Sequence, residues 1–531
     1  MDDADHGPHV GRLLHRDPQR RGLAMIARRA VLALLFAGLA SGALAKAPQF
    51  APAPQPRPVF PVLTGKELTV AANLSGDVAF IVYDLDADQV LEARNPDAPL
   101  PPASVAKIPT ALYALDALGP DFRFETRVIA VGPLNGGVLD GDLILQGGGD
   151  PEADTTTLDA LAKAAAAYGV RDVRGRYLID DGLFPAIERI DGTQPEHVAY
   201  NPSVGALNLN YNRVHAEWRR GSNGYQMNVE ARAEGLSPPT DIARVRIVDQ
   251  TVSGRVFDYA QQGAEGEWSV ARSALGRKGS RWLPVRQPSE YAARIFQRLA
   301  ASAGLRLPSP QSGAAPVVAD VIARAESRPL GRIVRDMLRY STNLTAEAMG
   351  LAASRARGAA PGGLADSGTA MNVWAASFAG FSPGDASFRM VNHSGLSGAS
   401  RATATRLIQI LKAADRRGFP GLLGGAPATL RGLLPEKPYL DDDQPTPPVG
   451  AVMRAKTGTL NFASALSGYI DTEGGKRLAF AILTADVPRR EAAVTAGVER
   501  PRGGRSWAAT SRRLQRALVR SWIARFGGAA E

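Results

Sequence analysis

The sequence predicts an α/β (α+β) fold, in which an antiparallel sheet flanked by helices is interrupted in sequence by an inserted β-rich region. Three observations predict it. Residues 77–95 hold two apolar runs around a turn, and strand-like segments recur at 463–470 and 478–484, just before a last helix at 511–526. Residues 124–321, in between, consist mainly of short strands and turns. The terminal elements would therefore form one sheet around a long insert.

The chain divides into four predicted segments. Residues 1–45 form a signal segment, and the Pro-rich residues 46–65 form an extended linker. Residues 66–123 and 322–531 together form the main domain, and residues 124–321 form the inserted β-rich region. This division places the two halves of the main domain far apart in sequence.

The N-terminal segment has the three parts of a secretory signal peptide. Arg28 and Arg29 precede an apolar run at 30–44, which ends in small residues at Ala45. The run of about 15 residues is shorter than the ~20 that a membrane-spanning helix needs. We therefore expect export to the periplasm with cleavage near Ala45, and Met25 is an alternative start of the chain.

The main domain opens with a hairpin at 77–95 and a helix at 104–118, which Gly119-Pro120 would end. The last helix, at 511–526, has apolar residues four apart with Arg beside them. This pattern favours a helix packed on a sheet over one lying on a membrane surface. The other predicted elements are strands at 138–145, 176–179, 242–248, 463–470 and 478–484, and helices at 158–168, 292–303, 330–340 and 343–352.

The composition narrows the chemistry that the chain can perform. Its 531 residues include 62 Lys and Arg against 52 Asp and Glu, a net charge of +10, and no Cys. Without Cys, disulfides, zinc ribbons, Fe–S clusters and thiol nucleophiles are excluded. Nine of the 62 cations are Lys and the other 53 are Arg. Because Lys can lose its proton at accessible pH and Arg cannot, the few Lys positions are candidates for proton transfer.

Ser104 and Lys107 form the first candidate catalytic pair. Residues three apart share one face of a helix, so the Lys107 amine can reach the Ser104 hydroxyl. The helix N-terminus favours negative charge on an attacking oxygen, and a buried lysine can act as the base that a serine nucleophile needs. Taken alone, the spacing is also that of an N-cap Ser with a surface Lys.

The second candidate group is Lys456-Thr457-Gly458-Thr459, which lies just before a predicted strand. Gly458 would let a substrate approach the edge of the strand closely, and the hydroxyls of Thr457 and Thr459 could bind a carboxylate. A hairpin turn is the alternative interpretation of this string.

Ser341-Thr342-Asn343 lies at the joint of two predicted helices, between the other two motifs in sequence. The order S-x-x-K, S-x-N, K-T-G resembles the signature set of the serine penicillin-recognising enzymes. The long insert, the segments at 141–151 and 201–214 and the stretch Ser394-Gly395-Leu396-Ser397 are similar to the low-molecular-mass class C penicillin-binding proteins. These are D-alanyl-D-alanine carboxypeptidase/endopeptidases of the S13 peptidase type. The likeness spans about residues 80–484.

The resemblance implies a penicillin-recognising transpeptidase/β-lactamase-like fold and the activity of a serine-type D-Ala-D-Ala carboxypeptidase with DD-endopeptidase activity. Ser104 would attack the carbonyl of the penultimate D-Ala, and Lys107 would take its proton. Ser341 and Lys456 would pass a proton to the leaving D-Ala nitrogen, and water would then hydrolyse the acyl-enzyme.

Substrate binding is implied for a further set of residues. Asn343 would hold the substrate amide, and Thr457, Gly458 and Thr459 would bind the substrate beside the strand, with the two hydroxyls on its terminal carboxylate. The backbone N–H groups of Ser104 and Thr459 would form the oxyanion hole. The expected partners are peptidoglycan peptides ending in D-Ala-D-Ala and β-lactam antibiotics, and no cofactor or metal is expected.

Two positions depart from what this interpretation expects. The family usually has Asp-Gly before its Ser-Gly-Leu-Ser stretch, and this chain has Asn392-His393 there. Pro109 lies inside the predicted helix at 104–118, where the missing N–H should kink the chain.

Other functions are weighed against the same residues. A β-lactamase-like hydrolase shares the three motifs, and a non-catalytic cell-wall-binding scaffold is a second alternative. A Ser-His-Asp hydrolase is disfavoured, because its one candidate string, Gly380-Phe381-Ser382-Pro383-Gly384, has a Pro where the oxyanion hole needs an N–H. Basic runs with interleaved aromatic residues do not occur, so nucleic-acid binding is not expected, and membrane contact is expected to be peripheral at most.

Overall fold

The computed structural model describes residues 62–253, 255–262, 265–419, 429–440 and 450–528. The predicted signal segment and nearly all of the linker lie outside these residues, so export and cleavage near Ala45 stay predictions. The helices are α1 Gly65–Ala72, α2 Lys107–Leu118, α3 Thr155–Tyr168, α4 Pro288–Ser302, α5 Leu330–Tyr340, α6 Asn343–Ala356, α7 Leu364–Ala379, α8 Ala404–Asp415, α9 Leu430–Leu433, α10 Val487–Thr495 and α11 Gly504–Phe526.

The strands follow the same chain order. They are β1 Asp77–Asp84, β2 Gln89–Arg94, β3 Glu125–Val131, β4 Leu134–Asn135, β5 Val138–Leu139, β6 Asp142–Gln146, β7 Asp172–Val173, β8 Tyr177–Asp180, β9 Arg213–Gly221, β10 Gly224–Glu230, β11 Ala243–Val248, β12 Phe257–Gln262, β13 Glu265–Ala271, β14 Lys278–Pro284, β15 Pro310–Ser312, β16 Asp320–Glu326, β17 Phe388–Arg389, β18 Arg401–Ala402, β19 Ala451–Leu460, β20 Ala463–Thr472 and β21 Arg477–Ala485.

The main sheet joins the two ends of the described chain. Its strand order is β19-β20-β21-β1-β2, and every neighbouring pair is antiparallel. Strand β1 pairs with β21 through Phe80 and Ile482, which lie about 400 residues apart in sequence. The predicted fold class is confirmed, because the terminal hairpins form one antiparallel sheet flanked by helices.

The two faces of this sheet are covered by different helices. On one face α11 buries Leu514, Leu518 and Trp522, and the Trp522 ring lies 5.7 Å from that of Phe80 and 6.1 Å from that of Phe480. On the other face the sheet packs against α2 and the helices α5 to α8. Helix α11 therefore packs on the sheet, as its apolar pattern predicts. Of the described helices, none combines the length and the apolar character needed to cross a membrane.

The residues between the two halves form sheets of their own around a separate core. The largest has the order β15-β8-β6-β3-β16, and two three-stranded sheets have the orders β10-β9-β14 and β11-β13-β12. Strand β16 pairs with β3 as far as Glu326 opposite Glu125. This sheet therefore includes residues beyond position 321.

Two local predictions need correction. The segment 138–145 is not one strand, because the Asp140 N–H donates to Pro133 O and the chain turns between β5 and β6. The segment 104–118 is not one α-helix either: it begins with a 3-10 turn at Ala103–Ala106, and α2 starts at Lys107. Pro109 is thus in the first turn of α2, where helical N–H groups lack partners, and it needs no kink there.

Candidate active site

A cleft of about 540 Å³ lies beside the edge strand β19 of the main sheet. Ser104, Ser341, Asn343 and Thr459 all line it. These residues come from the turn before α2, the joint between α5 and α6, and the edge strand. The structure therefore brings the three sequence motifs to one place.

Ser104 lies in the 3-10 turn that leads into α2, and its Oγ is 3.1 Å from Lys107 Nζ. Ala103, just before it, has φ 46°, in the left-handed region that a residue with a Cβ rarely adopts. Such strained backbone persists where the surrounding packing fixes it, and it clusters at functional sites. The turn places Ser104 in the wall of the cleft, where its hydroxyl contacts Lys107 Nζ.

The Lys107 side chain is fully buried, and three oxygen atoms surround its amine. Nζ lies 2.7 Å from Asn343 Oδ1, 2.8 Å from Ser394 O and 3.1 Å from Ser104 Oγ. Nζ donates to each of these three oxygen atoms, and of the three only the Ser104 hydroxyl carries a proton that it could give to the amine. Burial lowers the pKa of Lys107 to about 7, and the nearby Glu347 carboxylate opposes this shift. Lys107 is thus able to accept the Ser104 proton near neutral pH.

A second serine–lysine pair lies across the cleft. Ser341 follows α5 with φ 62°, and its Oγ accepts a hydrogen bond from Lys456 Nζ at 3.0 Å. Lys456 Nζ also donates to Thr457 O at 2.8 Å. Burial of Lys456, together with the positive charges of Lys107 and Lys437, holds its pKa well below the usual range. Ser104 and Ser341 are therefore each in contact with a buried lysine whose pKa is lowered.

The Lys456-Thr457-Gly458-Thr459 motif lies just before strand β20, as expected, but it is itself part of a strand, β19, which the sequence did not predict. The strand begins at Ala451, and Thr457 and Thr459 are exposed where Lys456 and Gly458 are buried. Alternation with period two explains this arrangement. A Cβ on Gly458 would lie 2.7 Å from Pro102 O and 2.9 Å from Ser104 N, so Gly458 allows the edge strand to approach the nucleophile turn.

Both ends of the Asn343 amide contact protein atoms. Oδ1 accepts from Lys107 Nζ, and Nδ2 donates to Tyr200 O at 2.8 Å. Asn343 therefore connects Lys107 to the region inserted between the two halves of the main domain. Tyr200 was not singled out from sequence, although it directly precedes the quoted segment 201–214. The role of Asn343 in holding a substrate amide stays a prediction.

Glu347, which lies near Lys107, was not predicted from the sequence as part of the site. Glu347 is fully buried on α6, and its carboxylate oxygens accept from the His393 N–H at 2.9 Å and the Ser394 N–H at 2.8 Å. The available signal was its spacing, since Glu347 follows Asn343 by four residues on one helix face. Burial lowers the pKa of His393 to about 3, so this residue is neutral at physiological pH. Both side chains of the Asn392-His393 dipeptide are thus uncharged at physiological pH.

The arrangement defines an acyl-transferring serine hydrolase. Ser104 is a hydroxyl nucleophile with a lysine base in contact, and a second hydroxyl, on Ser341, lies next to another lysine. The edge strand β19 passes close to the Ser104 backbone nitrogen, where donors for an oxyanion are needed. In the part of the chain that the structure describes, no group of three or more acidic or His side chains could hold a metal ion.

Comparison with known proteins gives the family. Residues 66–500 match the model of the D-Ala-D-Ala carboxypeptidase 3 (S13) family. A D-alanyl-D-alanine carboxypeptidase of Actinomadura sp. (strain R39) is 30% identical over 438 residues, which cover 76% of each chain. D-alanyl-D-alanine carboxypeptidase DacB of Haemophilus influenzae is 24% identical over 307 residues, 55% of this chain and 62% of that protein. The chain belongs to the S13 family, and the predicted resemblance is confirmed.

A solved structure supports the fold independently. The crystal structure of penicillin binding protein 4 (dacB) from Haemophilus influenzae aligns with a TM-score of 0.68 and 19% sequence identity. The alignment covers 85% of this chain and 98% of that one. The penicillin-recognising serine hydrolase fold therefore includes the inserted region as well as the main domain.

We expect Gly458→Ala to impair the reaction with little effect on folding. The added methyl group would push β19 away from the Ser104 turn, and a displacement of about 1 Å at a reacting centre can cost about a hundredfold in rate. The rate of Ser104 acylation by a fluorescent penicillin measures this loss. Gly363→Ala is the matched control, because a Cβ there meets open space. Wild-type acylation by Gly458→Ala would contradict the close approach.

We also expect Ser104 acylation to depend on the protonation of Lys107. Below its pKa of about 7 the amine is protonated and has no lone pair for the Ser104 proton, so the rate should rise with pH through an inflection near 7. Lys107→Arg should lose about 10²-fold to 10⁴-fold, the usual contribution of a general base.

Stopped-flow acylation between pH 5 and 9 gives both results. Lys163→Arg, at an exposed Lys on α3, serves as the control. A flat pH profile, or a wild-type rate in Lys107→Arg, would remove Lys107 as the base.

Proposed function

We propose that this protein is a serine-type D-Ala-D-Ala carboxypeptidase that acts on peptidoglycan stem peptides through an acyl-enzyme on Ser104. The observation that carries the proposal is the 3.1 Å contact between Ser104 Oγ and the fully buried amine of Lys107. Membership of the S13 family supports the same reaction class.

The first half of the reaction forms the acyl-enzyme. Ser104 Oγ attacks the carbonyl carbon of the penultimate D-Ala, and its proton passes to Lys107 Nζ. The carbonyl oxygen becomes an oxyanion, which the backbone N–H groups of Ser104 and Thr459 stabilise. The C–N bond then breaks, and the leaving D-Ala nitrogen takes a proton from the Ser341 hydroxyl, which is resupplied from Lys456 at 3.0 Å.

The second half consumes water. Water attacks the ester carbonyl and gives its proton to Lys456, which the first half has left neutral. The bond between the acyl carbon and Ser104 Oγ then breaks, and Oγ takes back its proton from Lys107 as the shortened peptide leaves. The net reaction is hydrolysis of the terminal peptide bond. If the leaving amine belongs to a neighbouring stem peptide, the same steps constitute the DD-endopeptidase activity.

β-Lactams are proposed as acylating agents of the same serine. Their strained cyclic amide presents a carbonyl to Ser104, and their carboxylate can take the place of the peptide terminus beside Thr457 and Thr459, which are exposed on the edge strand. The sequence pattern around Arg28 and Arg29 supports export to the periplasm, where peptidoglycan lies. Only peripheral membrane contact is proposed.

The test is covalent labelling followed by product analysis. Wild-type protein should form a stable fluorescent-penicillin adduct on Ser104 and release D-Ala from a D-Ala-D-Ala peptide, and Ser104→Ala should do neither. Ser382→Ala is the matched control, since Ser382 is exposed within the rival G-x-S-x-G string. Both activities should survive in it.

Each alternative predicts a different result in the same assays. Rapid turnover of the penicillin without D-Ala release would indicate a β-lactamase-like hydrolase. Absence of both labelling and D-Ala release in the folded wild-type protein would indicate a non-catalytic scaffold. Labelling of Ser104→Ala would place the nucleophile elsewhere. A cross-linked muropeptide distinguishes endopeptidase from carboxypeptidase activity.

A further inference from the structure

Glu347 is a buried carboxylate that the reaction described above does not use. It lies on α6 with its side chain fully buried. Its two oxygens accept from the main-chain N–H groups of His393 and Ser394 at 2.9 and 2.8 Å. Burying a carboxylate is costly unless hydrogen bonds compensate, so its position needs a reason.

The turn that Glu347 holds provides a ligand for the proposed base. Ser394 donates its N–H to Glu347, and its carbonyl oxygen accepts a hydrogen bond from Lys107 Nζ at 2.8 Å. The turn is closed by the Gly395 N–H donating to Asn392 Oδ1 at 3.1 Å. A shift of this turn would therefore move one of the two acceptors that orient the Lys107 amine, the other being Asn343 Oδ1.

Other helices support the same turn. Thr110 Oγ1 on α2 donates to His393 O at 2.7 Å, and the His393 Nε2 atom lies 2.7 Å from Ser367 Oγ on α7. A Cβ on Gly350 would lie 2.1 Å from the His393 ring, so α6 and the turn pack in direct contact. Helices α2 and α7 therefore hold His393 through its carbonyl oxygen and its ring, and Glu347 holds the N–H groups of His393 and Ser394.

We propose that Glu347 is a positioning residue for acyl transfer: it fixes the 392–395 turn so that Ser394 O holds the Lys107 amine with its lone pair towards Ser104. This inference rests on the proposed function, because it assigns Glu347 to the same Ser104–Lys107 reaction. A carboxylate suits the task, since each of its oxygens can accept one of the two adjacent N–H groups.

The charge of Glu347 also affects the pKa of Lys107, and this effect can be measured separately from its effect on position. The titratable groups around Lys107 are Glu347 on α6, Lys456 on β19, with Lys437 beyond it, and the neutral His393 in the turn. The Glu347 carboxylate raises the pKa of Lys107, and although burial raises the pKa of Glu347 itself, its hydrogen bonds from His393 and Ser394 and the nearby Lys107 favour the charged form. Removing the Glu347 charge should therefore shift the inflection of acylation to lower pH.

Two variants separate position from charge. Glu347→Gln keeps the size but has one acceptor oxygen for two N–H groups, and it removes the charge. We expect its maximal acylation rate to fall about tenfold to a hundredfold and its inflection to move down by about one pH unit. Glu347→Asp keeps the charge but is one methylene shorter. We expect a similar loss of rate with the inflection unchanged, and initial penicillin affinity should be unchanged in both.

Stopped-flow acylation by a fluorescent penicillin across pH 5–9 measures these quantities, and thermal unfolding checks that each variant is folded. Glu230→Gln is the matched control, because Glu230 is also buried but lies on β10, away from the cleft. It should acylate at the wild-type rate. If Glu347→Gln does not fold, the Glu347→Asp rate decides.

A folded variant of either kind with the wild-type maximal rate would overturn the proposal. So would a loss confined to initial affinity, because that would be a binding effect. Failure of the proposed function is distinguishable, since the wild-type protein itself would then form no Ser104 adduct. Wild-type labelling with wild-type rates in both Glu347 variants would overturn the Glu347 role alone.

Discussion

The constraint on which the site depends is the burial of the Lys107 amine. An ammonium group without water is costly, so the protein must either neutralise it or pair it. Here Nζ has two oxygen acceptors, from Asn343 and Ser394, and one hydroxyl neighbour, Ser104. Burial lowers the pKa of Lys107 to about 7, and a neutral amine is what a serine nucleophile needs.

The groups in contact with Lys107 come from distant parts of the sequence, so the fold has to bring these parts together. The 3-10 turn at Ala103–Ala106 supplies Ser104 and helix α2 supplies Lys107, both from the first part of the chain, and later segments supply their partners. The antiparallel pairing of β1 with β21 brings these parts together. Gly458 then allows the edge strand to approach the nucleophile turn, and the Asn343 contact with Tyr200 O ties the inserted region to the same site.

Much of this could be predicted from sequence, because local patterns carry it. Alternating and helical periodicities predicted the terminal hairpins and α11. The three motifs predicted four of the residues that line the cleft, namely Ser104, Ser341, Asn343 and Thr459. The role of Glu347 could not be predicted, since its hydrogen bonds reach main-chain groups almost 50 residues away. Strand β19 was also not predicted, because its Lys and Thr residues obscure the alternation of apolar and polar residues that is typical of a strand. Pro109 looked like a kink only because the 3-10 turn before it was not foreseen.

Direct titration of the Lys107 side chain tests the central claim. The chain has only nine Lys, so a carbon-13 NMR titration of the lysine Cε resonances is simple to assign, with Lys107→Arg identifying the signal. A midpoint near 7 is predicted for Lys107, against the ~10.4 of an unperturbed lysine side chain. A Lys107 midpoint at the ordinary lysine value would mean that the amine is charged at neutral pH and would contradict the account.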